Sequence, residues 1–183
     1  MAGGNVSGTS MCAFLRGVNL NGRNMKMAEV CDVFRQEHVQ NVRSVLATGN
    51  ILFESDDAKT DLRRNLEKRI SGHYGTDISL IVKDKEEIGN ILSSSPFPAD
   101  SDLHVYAFIC EGGFERTLME RFNTITPAVN EKAQINGGQF YWQVSKGSTL
   151  DSGFSKILGE KRMKDQFTSR NINTMQKIFE KMV

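Results

Sequence analysis

The stretch Val42-Arg43-Ser44-Val45-Leu46-Ala47-Thr48-Gly49-Asn50-Ile51-Leu52-Phe53-Glu54 decides the fold. Two apolar runs, 42–47 and 51–54, flank Thr48-Gly49-Asn50, and glycine takes the positive φ that a tight hairpin turn needs. The segment predicts a β-hairpin.

Working outward from it, residues 12–16 form an apolar strand candidate, and a loop leads into a helix over 27–37 with Met27, Val30, Cys31 and Phe34 on one face. On the other side, Leu62, Leu66 and Ile70 recur at i, i+4, with Asp56 or Asp57 as the expected cap. A strand over 77–82 and a short surface helix over 84–92 follow. The first half therefore reads strand, helix, strand, strand, helix, strand.

Ser93-Ser94-Ser95-Pro96-Phe97-Pro98 breaks helix and strand alike and marks a boundary between halves of similar size. Beyond it the order recurs. A strand spans 103–110, Gly112-Gly113 turns the chain, and a helix carries Phe114, Leu118, Phe122 and Ile125. A strand over 129–135 reaches Asn136-Gly137, the strongest short hairpin signal. The returning strand alternates Phe140, Trp142 and Val144, and helices follow around 154–158 and along Ile172, Met175, Phe179 and Met182. Gly49 and Gly137 stand 88 residues apart, so the halves repeat in pattern with an offset near 90. Each resembles a split βαβ, ferredoxin-like unit. The expectation is an α+β protein with two such subdomains in tandem, antiparallel sheets with helices on one face. Residues 11–93 form the first and 99–183 the second with its C-terminal helix, and 1–10 are a disordered lead or tag remnant.

Composition bounds the function. A net charge of +1 argues against a strongly basic nucleic-acid binder, and 39% hydrophobic with 25% charged residues is ordinary for a globular chain. No apolar run approaches the roughly 20 residues of a membrane helix. Cys12, Cys31 and Cys110 have no metal-ligand spacing and read as reduced thiols, which suits the cytoplasm. His38, His73 and His104 are scattered, without metal or triad spacing. No metal and no cofactor are expected. The Lys156, Lys161, Arg162, Lys164 run reads as a solvated face, and Trp142 as part of a core stripe.

Three polar clusters remain. Arg16-Gly17-Val18-Asn19-Leu20-Asn21-Gly22-Arg23-Asn24 joins a strand to a helix start, where free N–H groups, the helix dipole and two guanidinium groups suit an anion. The equivalent turn of the second half is the minimal Cys110-Glu111-Gly112-Gly113, so chain reversal does not require the longer loop. Its spacing matches neither a P-loop nor a dinucleotide fingerprint. The alternative is structural: Asn19 and Asn24 cap turns, and Arg16 ends a strand in an ion pair. The second cluster, Thr48-Gly49-Asn50, is explained by the hairpin and offers neutral hydrogen bonds if it lies near the first. The third is Thr168-Ser169-Arg170-Asn171 before the last helix, with Thr168 or Ser169 as N-cap. Arg170 opposes the dipole there, a placement better tolerated with an anion present.

Leu15-Arg16-Gly17-Val18-Asn19 with Gly22 and Met27, then Leu46-Ala47-Thr48-Gly49-Asn50-Ile51-Leu52-Phe53, then Thr168-Ser169-Arg170-Asn171 with Asn173-Thr174, together resemble domain-of-unknown-function family 1697. That family consists of uncharacterised, mostly bacterial proteins. The resemblance runs from about residue 11 to 179. It implies a duplicated ferredoxin-like architecture and no particular reaction, and it ties the three clusters into one composite pocket. Two departures stand out. Asn21 occupies a position where glycine is commoner, which stiffens the loop. Ile172 stands where tryptophan is frequent, which removes a stacking group and weakens a nucleotide reading.

The expected site is therefore Arg16, Gly17, Asn19, Gly22, Arg23, Asn24, Thr48, Gly49, Asn50, Thr168, Arg170 and Asn171, holding a small phosphorylated or carboxylated ligand. None of these is a good general base near neutral pH, so binding is favoured over catalysis. An RNA-binding module and a protein–protein adaptor are the alternatives. A monomer or weak dimer is expected.

Overall fold

The computed structural model describes residues 8–16, 25–110, 112–160, 163 and 166–183. They divide into two compact units, Met1–Glu86 with Ile178–Val183, and Glu87–Lys177.

In the first unit, β1 (Thr9–Leu15), α1 (Met27–Phe34), β2 (Gln40–Ser44), β3 (Asn50–Ser55), α2 (Lys59–Tyr74) and β4 (Leu80–Asp84) build one sheet and two helices. The strand order is β2-β3-β1-β4, all antiparallel, which is the split βαβ topology. Alternation decides the faces. Met11, Ala13, Leu15, Ile51, Phe53, Leu80 and Val82 share a core with Val30 and Phe34 of α1 and Leu62, Leu66 and Ile70 of α2. Each such buried aliphatic side chain contributes about 1.5–3 kcal/mol over exposure. The intervening Cys12, Phe14, Leu52 and Ile81 are buried as well.

Several local expectations need correction. Residues 9 and 10 are not a disordered lead but the first residues of β1, paired with Ser55 and Glu54. A Cβ on Gly8 would lie 2.9 Å from the Ser55 nitrogen, so even that residue is pressed against β3. The cap of α2 is Ala58, without a side-chain bond, and neither Asp56 nor Asp57 serves. The hairpin also shifts. Val45 N–H reaches the Asn50 carbonyl at 2.9 Å, which puts Asn50 in the strand and leaves 46–49 as the loop.

The second unit repeats the plan with β5 (Leu103–Cys110), α4 (Phe114–Phe122), β6 (Lys132–Asn136), β7 (Gln139–Ser145), α5 (Gly153–Leu158) and β8 (Phe167–Asn171), in the order β6-β7-β5-β8. Phe108, Phe140, Trp142 and Val144 pack on Leu118 and Phe122 of α4 and on Phe154 and Ile157 of α5. The hairpin turn is Gly137-Gly138, one residue later than expected, with φ of 56° and 74°. Ser152 caps α5 by accepting from Ser155 N–H.

Two helices span the change from one unit to the other: α3 (Lys85–Ser93) and α6 (Ile172–Lys181). The sequence puts the boundary at 93–98; in the fold it falls inside α3. Ile88 and Ile91 are buried, and the Tyr141 hydroxyl donates to the Ile91 carbonyl at 2.7 Å, which fixes α3 to the second unit. The end of α6 belongs to the first. Lys85 Nζ donates to the Met182 carbonyl at 2.8 Å, and an Arg43 guanidinium donates to that of Lys181.

Candidate functional site

In the first unit the antiparallel register brings the end of β1 beside the start of β3, with Phe14 opposite Asn50. Leu15 N–H donates to the Gly49 carbonyl at 2.8 Å, and Arg16 N–H to that of Ser79 at 2.9 Å. Arg16 therefore stands between the 46–49 turn and the approach to β4. It is only 7% exposed. Taking a guanidinium out of water is costly unless charge and hydrogen bonds compensate, and when they do the pairing is strong and directional.

Beside it, Asn50 is fully buried, and its Nδ2 donates to the Val45 carbonyl and the Thr48 hydroxyl, each at 2.9 Å. That carboxamide wires the turn shut. The same turn holds Leu46 at φ 59° with its side chain half exposed, and Gly49 at φ 74°. A branched residue in the left-handed region is uncommon and costs about 1–2 kcal/mol. Further along the chain, α1 begins after Lys26, whose side chain makes no cap bond. Two of the three predicted clusters thus meet, through Arg16, Thr48, Gly49 and Asn50. Gly17, Asn19, Gly22, Arg23 and Asn24 lie outside the described residues.

The third cluster belongs to the second unit and is not a helix cap. Thr168, Arg170 and Asn171 are in β8, an edge strand paired to β5, with Ala107 opposite Arg170. The Arg170 guanidinium donates to Thr168 Oγ1 at 2.6 Å and to the Ser169 carbonyl at 2.8 Å. Asn171 is what caps α6: its Oδ1 accepts from Asn173 N–H at 2.9 Å, while Nδ2 lies 3.0 Å from His104 Nδ1. The Thr-Ser-Arg-Asn run carries cap residues, so composition alone hid the strand.

The other candidates resolve simply. Trp142 is in the core, and its indole donates to Glu131 Oε1 at 3.1 Å. His73 lies 2.9 Å from Glu29 at the end of α2. Cys12 and Cys31 are buried, Cys110 is partly so, and burial raises the Cys31 thiol above its ordinary range. A polar groove of about 710 Å³ runs over α2 past Lys68, Arg69 and His73, away from Arg16 in sequence and in lining. Its Arg69 is already paired with Glu37. Among the described residues no helix is long and apolar enough to cross a membrane, and no three His, Cys, Asp or Glu side chains group around a metal position.

Comparison with known proteins adds the lineage. The family model described as "Protein of unknown function (DUF1697)" matches residues 9–141. A solved structure titled as that of conserved bacterial protein SP0830 from Streptococcus pneumoniae is similar, with 24% identity and a TM-score of 0.75. The match covers 94% of this chain and 97% of that one, and at this identity it bears on the fold alone. No curated protein matches the chain.

Proposed function

Since the chain belongs to a family of unknown function, DUF1697, we propose from its own side chains that it binds a small phosphorylated or carboxylated molecule at the end of β1. The observation that carries this is the burial of Arg16 beside a strained, hydrogen-bonded turn. A guanidinium held in low dielectric binds a tetrahedral or planar anion bidentately. Gly17, Gly22 and Arg23 follow Arg16 closely in the sequence, and their N–H groups and guanidinium are of the chemistry an anion site uses. Thr48 and Asn50 would orient it, Thr48 through its hydroxyl and Asn50 by holding the turn in place.

No reaction is assigned. The site is read as one of recognition, in a cytoplasmic protein. Three cysteines outside any disulfide support that compartment.

The experiment is a thermal-shift series with inorganic phosphate, citrate, sugar phosphates and mononucleotides on the full chain. A ligand at a hundredfold excess over its Kd adds about 2.7 kcal/mol of apparent stability. An anion that stabilises the wild type but not a folded Arg16→Lys variant supports the site. Stabilisation that survives the substitution overturns it.

A further inference from the structure

In the first unit a groove of about 710 Å³ runs between α2 and the segment that leads from α1 into β2. It shares no residue with the Arg16 site. We propose that this groove binds an extended, acidic stretch of polypeptide.

One wall is a stripe of α2. Asn65, Lys68, Arg69 and Gly72 follow at i, i+3, i+4 and i+7, on one line of the helix surface beside the buried row Leu62, Leu66 and Ile70. The facing wall is the 36–38 segment. Arg69 ties the two together: its guanidinium is paired with Glu37, and Nη1 donates to Gln36 Oε1 at 3.4 Å. A groove whose walls are already joined loses less entropy on binding than one that must form.

The groups left over are those a peptide uses. The side chains of His38, Asn65 and Lys68 are exposed and make no hydrogen bond or ion pair among the described residues. Arg69 and Glu37 neutralise each other, so the Lys68 ammonium gives the groove its net positive charge. It suits a carboxylate, while an imidazole and a carboxamide suit the N–H and C=O groups of a main chain. His73 stands apart, since it is already bonded to Glu29.

Gly72 is the second, independent observation. It lies in the last turn of α2, but the helix is capped by Gly75 at φ 64°, and a Cβ on Gly72 would meet nothing within 4 Å. Neither a turn nor close packing within the protein accounts for a residue that weakens a helix interior. Its bare backbone lines the groove instead, where it lets another main chain come close to the helix.

Dimensions and composition select the occupant. The stripe from Asn65 to His73 is about 12 Å long at 1.5 Å per residue, the reach of about three to four extended residues. No aliphatic side chain and no Phe, Tyr or Trp lines the groove among the described residues. An apolar peptide therefore finds no anchor and a single-stranded nucleic acid no broad stacking platform. One uncommitted ammonium is also too little charge to track a phosphate backbone.

The test is fluorescence anisotropy on the full chain with a labelled hexapeptide alternating glutamate and serine, its glutamine counterpart, and a hexauridine RNA. The expected result is saturable, salt-sensitive binding of the acidic peptide, at least roughly tenfold tighter than the glutamine form. Lys68→Gln weakens it roughly fivefold or more, whereas Arg64→Gln, which removes the same charge from α2 outside the groove, leaves it unchanged. Gly72→Ala raises the unfolding temperature, because alanine suits a helix interior, and yet lowers the affinity severalfold. No binding of the acidic peptide overturns the proposal. So does equal binding of the glutamine form, tighter binding of the RNA, an equal loss in Arg64→Gln, or binding untouched by both Lys68→Gln and Gly72→Ala. None of these variants alters the Arg16 site, so failure here leaves that reading standing.

Discussion

The buried side chain of Asn50 donates to the Val45 carbonyl across the mouth of the first hairpin, at 2.9 Å. Its second bond, to Thr48, makes one residue the organiser of the whole 46–49 turn. Asn50→Leu removes both donors and leaves the Val45 carbonyl without this partner. The expected loss is about 1–3 kcal/mol of unfolding free energy in urea. Thr48→Val, which keeps the Val45 bond, is expected to cost less, and equal costs would show that the turn is organised otherwise.

Arg16 lies at the edge of the same turn, and its role is testable by stability alone. In the absence of ligand, Arg16→Met replaces a buried cation by an apolar chain of similar length, and removing one member of a buried polar set is destabilising because its partners are left without it. We expect the midpoint in urea to fall and stabilisation by phosphate compounds to disappear. A variant that simply unfolds points to Arg16 as structural, and Arg16→Lys then decides.

Tyr141 makes stability depend on alkaline pH. Burial pushes its phenol up to about 12, against a smaller opposing effect of Ser94. A folded value above the unfolded one of 10 means the neutral form is favoured by folding. The contribution is therefore complete below pH 10 and is lost as pH rises toward 12. Denaturation midpoints should fall over that window, and Tyr141→Phe should flatten part of the fall while costing about 1 kcal/mol at neutral pH for the bond to Ile91. Tyr74, raised to about 12 mainly by burial, leaves a residual slope.

Gly137 is constrained twice. Its φ is 56°, and a Cβ there would lie 2.6 Å from Ser94 Oγ. Gly137→Ala is expected to destabilise by about 1–2 kcal/mol. Gly138, at φ 74° with open space around it, should accept asparagine at smaller cost. Fluorescence of Trp142, the single tryptophan, reports on the same sheet.

The fold was legible where periodicity and turn chemistry agreed. Leu62, Leu66 and Ile70 announced α2, and the alternation of Phe140, Trp142 and Val144 announced β7. It was illegible where polar residues had two meanings. Thr168–Asn171 reads as a cap by residue type, and only the long-range pairing with β5 makes it a strand. Of the site, the sequence shows the residues of the Arg16 loop but not the burial of Arg16, because burial depends on which strands flank β1. The groove over α2 was invisible for the same reason: His38 and Lys68 are far apart in the chain.

The first unit is discontinuous, since residues 178–183 complete what residues 8–86 begin. During synthesis the whole of the second unit must leave the ribosome before the first can acquire its final segment. The early half therefore waits, incomplete, with Lys85 and Arg43 lacking their acceptors on Met182 and Lys181. Folding order is then set by chain connectivity. The second unit, contiguous from 87 to 177, is the one able to finish first, and a cut at 93–98 would strand the first without its last element.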